Sequence, residues 1–429
     1  MRHYLALPLL FVAAPAMAQE QPSPARLKAD VEKLVSFGTR HTLSSPTDPK
    51  RGIGAARRWF ASEMERIGKG CGGCIQVANV ARTFTGTRAP NGVEIVDVLG
   101  FQAGTDPKRV VIVMGHIDSR VTDVMNVTAD APGANDDASG VALVLEAARI
   151  LSKEKLTATV IYAALSGEEQ GLYGGTLLAE TAKERGWTVS AVLNNDIVGN
   201  TVGQDGRRVA DRVRVFSEGI RQAEPLDAQM ARAADGGEDD GPSRALAKAV
   251  DGVAKGIPGG LDAFVVRRFD RFGRGGDHTP FLKLGYPAVR FSVGVENYDQ
   301  QHQDLRSEGG KVYGDTVDKM DFPYLAKVTA INVATLRRLA KAPAAPASVT
   351  LIGALATDTT VKWAAVPGAA GYRVHWRRAD AQDWTDHLDV TTPEAVLKGV
   401  IVDDSFVGVS ALSADGTESL VTFGGRERR

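Results

Sequence analysis

Four short stretches of this 429-residue chain concentrate side chains that can hold a metal ion. They are Met114-Gly115-His116-Ile117-Asp118, Gly133-Ala134-Asn135-Asp136-Asp137-Ala138-Ser139-Gly140, Leu165-Ser166-Gly167-Glu168-Glu169 and Leu193-Asn194-Asn195-Asp196. Each adjoins an apolar element, and a parallel α/β sheet builds its functional crevice from the carboxyl ends of its strands. Imidazole nitrogen and carboxylate oxygen are donors that Zn²⁺ takes in catalytic sites, where one position stays open for water. A carboxylate can also bridge two ions about 3.5–4 Å apart. No G-x-S-x-G elbow surrounds Ser139 or Ser166, which argues against a serine hydrolase.

The elements that must position these residues are legible from periodicity. Val110–Met114, Thr159–Leu165 and Ala191–Leu193 are continuous apolar runs, as in strands buried on both faces. Residues 53–67 and Gly140–Leu151 carry apolar residues at helical spacing, and Asp321 can cap a last helix through Leu325, Val328, Ile331 and Leu336. The expectation is an α/β fold with a mixed, mostly parallel central sheet and helices on both faces. Pro343-Ala344-Ala345-Pro346-Ala347 reads as a linker. After it come short β runs with turns at Pro367-Gly368 and Asp415-Gly416, which predict an all-β sandwich over 344–429.

Composition narrows the alternatives. The 51 Lys+Arg and 52 Asp+Glu leave a net charge of −1, which excludes the basic footprint of a general nucleic-acid binder. Arg2 and His3, the apolar run Tyr4–Ala14 and Ala16-Met17-Ala18 predict a cleaved secretory signal over residues 1–18, and hence a periplasmic or extracellular protein. No later stretch is apolar and long enough to predict a membrane span. In an exported chain the only cysteines, Cys71 and Cys74, read as a small structural disulfide.

In their order and spacing, His116-x-Asp118, Asn135-Asp136-Asp137-x-Ser139-Gly140, Glu168-Glu169 and Asn195-Asp196 resemble the two-zinc aminopeptidases of the bacterial leucyl aminopeptidase type. Glutamate carboxypeptidases and glutaminyl cyclases belong to the same family. The likeness spans roughly residues 30–340 and includes Phe37-Gly38-Thr39-Arg40-His41-Thr42 and Gly276-Asp277-His278-Thr279-Pro280-Phe281. It implies a zinc exopeptidase catalytic domain over 19–343 that uses two Zn²⁺ and a peptide substrate with a free N-terminus. Asp136 would bridge the ions, with His116 and Asp196 completing one site and Glu169 and a late His the other, and the Asp136-Asp137 peptide would be cis. Glu168 would be the general base. Asp118, two residues from His116, is expected to accept its second imidazole N–H and fix the tautomer.

Seven histidines restrict the late ligand. His3 leaves with the signal, His375 and His387 lie in the sandwich, and His41 is N-terminal, which leaves His278 and His302 besides His116. The family's motif order favours His302, whereas His278 would border the substrate pocket. Tyr298 is the candidate to steady an oxyanion, and Asp137 and Asp277 are read as structural support. Arg267, Arg268, Arg271 and Arg274 are expected at the surface or ion-paired; facing the pocket, they could bind a substrate carboxylate. Glu238-Asp239-Asp240 reads as a solvated acidic run.

A carboxypeptidase or glutaminyl cyclase of the same fold is the near alternative, and a non-catalytic zinc- or peptide-binding protein the distant one. Residues 344–429 resemble a fibronectin type III domain in Trp363, Tyr372-Arg373-Val374 and Val409-Ser410-Ala411. It would be an accessory unit for carbohydrate, envelope or protein contact.

Overall fold

The computed structural model describes residues 20–427, so the expected signal over 1–18 lies outside the described residues. The central sheet has eight strands: β1 (Ile75–Gly86), β2 (Ala89–Gln102), β3 (Asp106–His116), β4 (Ala158–Leu165), β5 (Thr188–Asn195), β6 (Arg212–Ser217), β7 (Asp262–Val266) and β8 (Ala288–Val293). Their spatial order is β1-β2-β4-β3-β5-β8-β6-β7. The four middle strands, β4, β3, β5 and β8, run parallel, and antiparallel pairing begins at β2 on one side and β6 on the other. The fold is thus mixed α/β, with its parallel portion at the centre.

Alternation along β3 shows why the apolar runs are continuous. Val111 and Val113 join one core, whereas Val110, Ile112 and Met114 join another on the opposite face. The first core is covered by α1 (Pro24–Val35), α2 (Gly52–Gly70), α3 (Ala138–Leu151), α7 (Pro242–Lys255) and α9 (Phe322–Lys341). The short α4 (Glu168–Gly171) follows β4; α5 (Tyr173–Glu184) and α8 (Thr279–Lys283) cover the second core, and α6 (Leu226–Ala234) is peripheral. Asp321 caps α9 by accepting the Tyr324 N–H. No helix among the described residues is long and apolar enough to cross a membrane.

Two features extend beyond the periodic pattern. The β1–β2 hairpin is long, and Cys71 and Cys74 form a disulfide just before it. A small hairpin, β9 (Arg306–Glu308) and β10 (Lys311–Tyr313), lies between β8 and α9.

The C-terminal unit comprises β11 (Val349–Ile352), β12 (Thr359–Trp363), β13 (Gly371–Arg378), β14 (Asp386–Val390), β15 (Glu394–Leu397), β16 (Ser405–Leu412) and β17 (Thr422–Arg426). Their order is β14-β13-β16-β17-β11-β12-β15, with a parallel β11–β17 pair joining two antiparallel halves. Trp363, Tyr372, Val374, Val407 and Val409 form its own core. This unit is docked rather than tethered. Asp240 is buried and pairs with Arg377 and, at 2.7 Å, with Lys248; Asp239 pairs with Arg267 at 2.8 Å. The expected solvated run 238–240 is therefore corrected, because two of its carboxylates serve as ionic partners. Leu420 joins the main core, and Pro343 and Pro346 of the linker are buried.

Candidate metal centre

The carboxyl ends of β3, β4 and β5 and the loop after β8 converge on one crevice, as the topology of a parallel sheet dictates. His116 is the last residue of β3, Glu168 and Glu169 open α4 after β4, and Asp196 follows β5. Asp136 precedes Asp137, the N-cap of α3, and His302 lies in the loop after β8. Glycine permits this convergence. A Cβ on Gly140 would lie 2.1 Å from the Asn195 carbonyl, so α3 could not otherwise approach the end of β5.

The ligand-capable atoms form two triads. One comprises His116, Asp136 and Asp196; the other comprises Asp136, Glu169 and His302, and within each the donor atoms lie within 4.8 Å of one another. His116 Nε2 stands 3.1 Å from Asp136 Oδ1 and 3.8 Å from Asp196 Oδ1. His302 Nε2 stands 2.9 Å from both Asp136 Oδ2 and Glu169 Oε1. Asp136 therefore presents one oxygen to each triad, and its peptide bond to Asp137 is cis. His278 is elsewhere, with its Nε2 2.7 Å from the Phe269 carbonyl oxygen.

The buried charges perturb one another. Burial opposes ionisation of Asp136, yet His302 and His116 hold it well below the usual carboxylate range. Burial, with Asp196, Glu169 and Asp277 nearby, pushes Glu168 well above that range despite His116. Burial also lifts Asp277 to about 7.

Supporting groups fix the geometry. Asp137 Oδ2 accepts the His116 N–H at 3.1 Å, and its Oδ1 accepts those of Gly140 at 2.9 Å and Ile197 at 3.3 Å. Asp277 accepts the Gly175 N–H at 3.0 Å. Asp118 plays a different part from the one expected. The acceptor nearest His116 Nδ1 is the Asp118 main-chain oxygen, at 3.1 Å, with the carboxylate at 3.6 Å. The carboxylate instead takes the Thr42 hydroxyl at 2.7 Å and the Glu168 and Glu169 N–H groups at 3.3 and 3.2 Å. Those orphan donors at the start of α4 outcompete the imidazole because each needs an acceptor. The 37–42 stretch also acts as a brace. Buried Arg40 donates to the carbonyls of Ile117, Pro132 and Gly133, joining two ligand-bearing loops.

Four contributing residues were not anticipated. Asp315 accepts the Asn135 and Asp136 N–H groups at 2.9 and 2.7 Å. Arg120 donates to Glu169 Oε2 at 2.7 Å and also contacts His302 Nδ1. Arg290 is fully buried and pairs with Asp196 at 2.8 Å. Arg88, at the tip of the β1–β2 hairpin, donates to the Glu169 carbonyl at 2.7 Å. Only Arg120 carried a sequence signal, since it directly extends the His116–Ser119 segment.

The cleft above the triads has a volume of about 330 Å³, and Arg88, Arg271, Arg274, Glu168 and His302 line it. Arg267 and Arg268 turn away, to Asp239 and over the Phe272 ring respectively. Tyr298 is half exposed and is not among the cleft residues.

The α/β fold is one shared by solved structures of known proteins. An aminopeptidase from Aneurinibacillus sp. strain AM-1 matches with a TM-score of 0.52 at 13% identity, over 75% of this chain and 95% of that one. A glutaminyl cyclase from Porphyromonas gingivalis matches at 0.51 and 17%, over 73% and 97%. In sequence, residues 97–336 match Peptidase family M28. A probable zinc metalloprotease of Leptosphaeria maculans is 44% identical over 407 residues, 93% of this chain and 94% of its own. The chain belongs to Peptidase family M28.

Proposed function

We propose that this chain is an exported zinc exopeptidase, and within that class an aminopeptidase, working with two Zn²⁺ per chain. The observation that carries the reading is the pair of triads sharing Asp136, with Glu168 in the same cleft. The donor set fits zinc: two imidazoles and three carboxylates, all nitrogen or oxygen ligands, crowded where their charges otherwise conflict. His116 and Asp196 would hold one ion, Glu169 and His302 the other, and Asp136 both. The name carried by the 44%-identical relative supports the choice of metal.

When bound, the zinc pair supplies Lewis acidity that acidifies a water and polarises the scissile carbonyl. Glu168 then takes a proton from the attacking water on its carboxylate and returns it to the departing amine. Asp118 fixes Glu168 by holding its backbone N–H. Asp137, Asp315 and Arg290 hold the ligand segments so that Glu168 and the scissile bond meet in one geometry. The Cys71–Cys74 disulfide supports export, since such bonds persist in oxidising compartments. The C-terminal unit is read as a fibronectin type III-like accessory.

The test is a substrate panel on the purified chain, with zinc and with chelator: aminoacyl nitroanilides, peptides scored for C-terminal release, and N-terminal Gln peptides scored for cyclisation. Zinc-dependent release of the first residue is expected, with about two zinc ions per chain by metal analysis. Exclusive C-terminal release or cyclisation would move the activity to a sister class. Inactivity on every arm, with under one zinc per chain, would overturn the enzyme reading.

A further inference from the structure

We infer that the cleft selects substrates carrying a carboxylate within about one residue of the scissile bond, a reading that rests on the proposed peptidase activity and deepens it. Three arginines from two separate elements line the small cleft. Arg88 comes from the β1–β2 hairpin tip, and Arg271 and Arg274 from the loop between β7 and α8.

Their charge is only partly cancelled locally. Around that loop, Arg214, Arg271, Arg274 and Arg290 surround Asp270 and Glu296, so four guanidiniums face two carboxylates besides Asp196. Arg88 adds a fifth guanidinium, which donates to the neutral Glu169 carbonyl. Divalent ions would offset the carboxylates of the triads, which leaves Glu168 as the one further cleft carboxylate, beside Asp270 and Glu296, set against the five guanidiniums.

The arginines are also held ready. Arg271 is buried, bonded to Asp270 at 3.0 Å and to the Gly275 carbonyl at 3.2 Å, and Arg290 reaches the same carbonyl at 3.1 Å. These contacts lock the loop. Arg274 uses Nη1 on Glu296 at 3.2 Å, and its side chain is 34% exposed, with no further partner for Nε and Nη2 among the described residues. A guanidinium with a spare edge, on a fixed loop in a confined cleft, suits a planar carboxylate. Neutral or basic side chains would leave those donors without a charged acceptor.

The carboxylate could be an acidic side chain or a free α-carboxyl group one residue beyond the cut. Both are tested with zinc-loaded, full-length protein. The acidic-side-chain arms compare Glu with Gln at the first or second position of amidated peptides; the α-carboxyl arm compares a dipeptide free acid with its amide. At least one carboxylate arm is expected to exceed its amide control by about 10- to 100-fold in kcat/KM, mainly through KM, with the gap shrinking at high salt. Arg274→Gln should bring that ratio close to one, and Arg274→Glu should shift preference towards Lys.

Calorimetric binding of glutamate and glutamine, or of a free dipeptide and its amide, reads the same selectivity without turnover. Tighter carboxylate binding that Arg274→Gln abolishes, in a protein cleaving nothing, would keep the anion site and refute the peptidase reading. Equal handling of carboxylate and amide in every arm, by turnover and by binding, would overturn the anion site while leaving the peptidase reading intact.

Discussion

Asp137 Oδ2 accepts the backbone N–H of His116 at 3.1 Å, although 21 residues separate them. The same carboxylate takes the N–H groups of Gly140 and Ile197, so it ties the ends of β3 and β5 to the start of α3. It thereby sets the spacing of His116, Asp136 and Asp196 without itself belonging to either triad. Asp137→Ala is expected to weaken zinc binding by about 10- to 100-fold, the usual cost of losing an outer partner of a metal site. Asp137→Asn, which keeps an acceptor oxygen, should fall between Ala and the parent. Competition with a chromogenic chelator measures this; unchanged affinity in Asp137→Ala would remove the positioning role.

Glu168 and Asp136 should separate chemistry from metal retention. Glu168→Gln is expected to keep its zinc and lose about 10²- to 10⁴-fold in turnover, as for removal of a general base. Asp136→Ala should lose metal from both triads, because each draws one of its oxygens. Zinc content beside kcat decides both. Near-parental turnover in Glu168→Gln would demand another base, and full metal content in Asp136→Ala would contradict bridging.

Arg120 makes a one-sided prediction. It contacts Glu169 and His302, which belong to the same triad, and neither His116 nor Asp196. Arg120→Ala should therefore turn a metal titration with two tight equivalents into one tight and one weakened. Equal weakening of both would assign Arg120 to general stability.

The C-terminal unit carries a pH-dependent contribution at Glu418. Burial works against its charge, but His375 at 2.6 Å, the Ser410 hydroxyl and Arg338 hold it at about 2, against an ordinary 4.5. A lowered carboxylate stabilises the fold above its unfolded value, and that stabilisation disappears as pH falls through about 4.5 towards 2. The shift corresponds to at most roughly 3 kcal/mol. Denaturant unfolding should show the parent more stable than Glu418→Gln at pH 6–7, with the gap closing as pH drops below about 4. A gap independent of pH would mean that packing, not charge, is lost.

The strands behind the centre were legible because burial on both faces leaves unbroken apolar runs, as in Val110–Met114. His116, Glu169 and Asp196 were legible because each follows such a strand, and Asp136 because it precedes α3, whereas His302, in the loop after β8, was reached through the count of histidines and the family's motif order. Long-range support was less so. Asp315 reaches the Asn135 and Asp136 backbone across some 180 positions, and nothing around Gly314-Asp315-Thr316 marks it. Asp118 shows a subtler limit: its spacing from His116 fixed which way it points, but not which donor would win its oxygens. Arg88 was hidden for a third reason. Its place follows from the length of the β1–β2 hairpin, whose half-exposed strands lack a clean alternating pattern.

The Pro/Ala stretch after α9 has a consequence for how the chain can be used. Its buried prolines, the Thr422 hydroxyl bonded to the Pro346 carbonyl at 2.6 Å, and the Asp240–Arg377 contact leave the last strands no swing radius. Lys248 of α7 holds the loop between β13 and β14 as well, bridging Asp240 and the Gln382 carbonyl, the latter at 2.9 Å. A cell-surface anchor held through the C-terminal strands would therefore fix the direction in which the catalytic cleft opens.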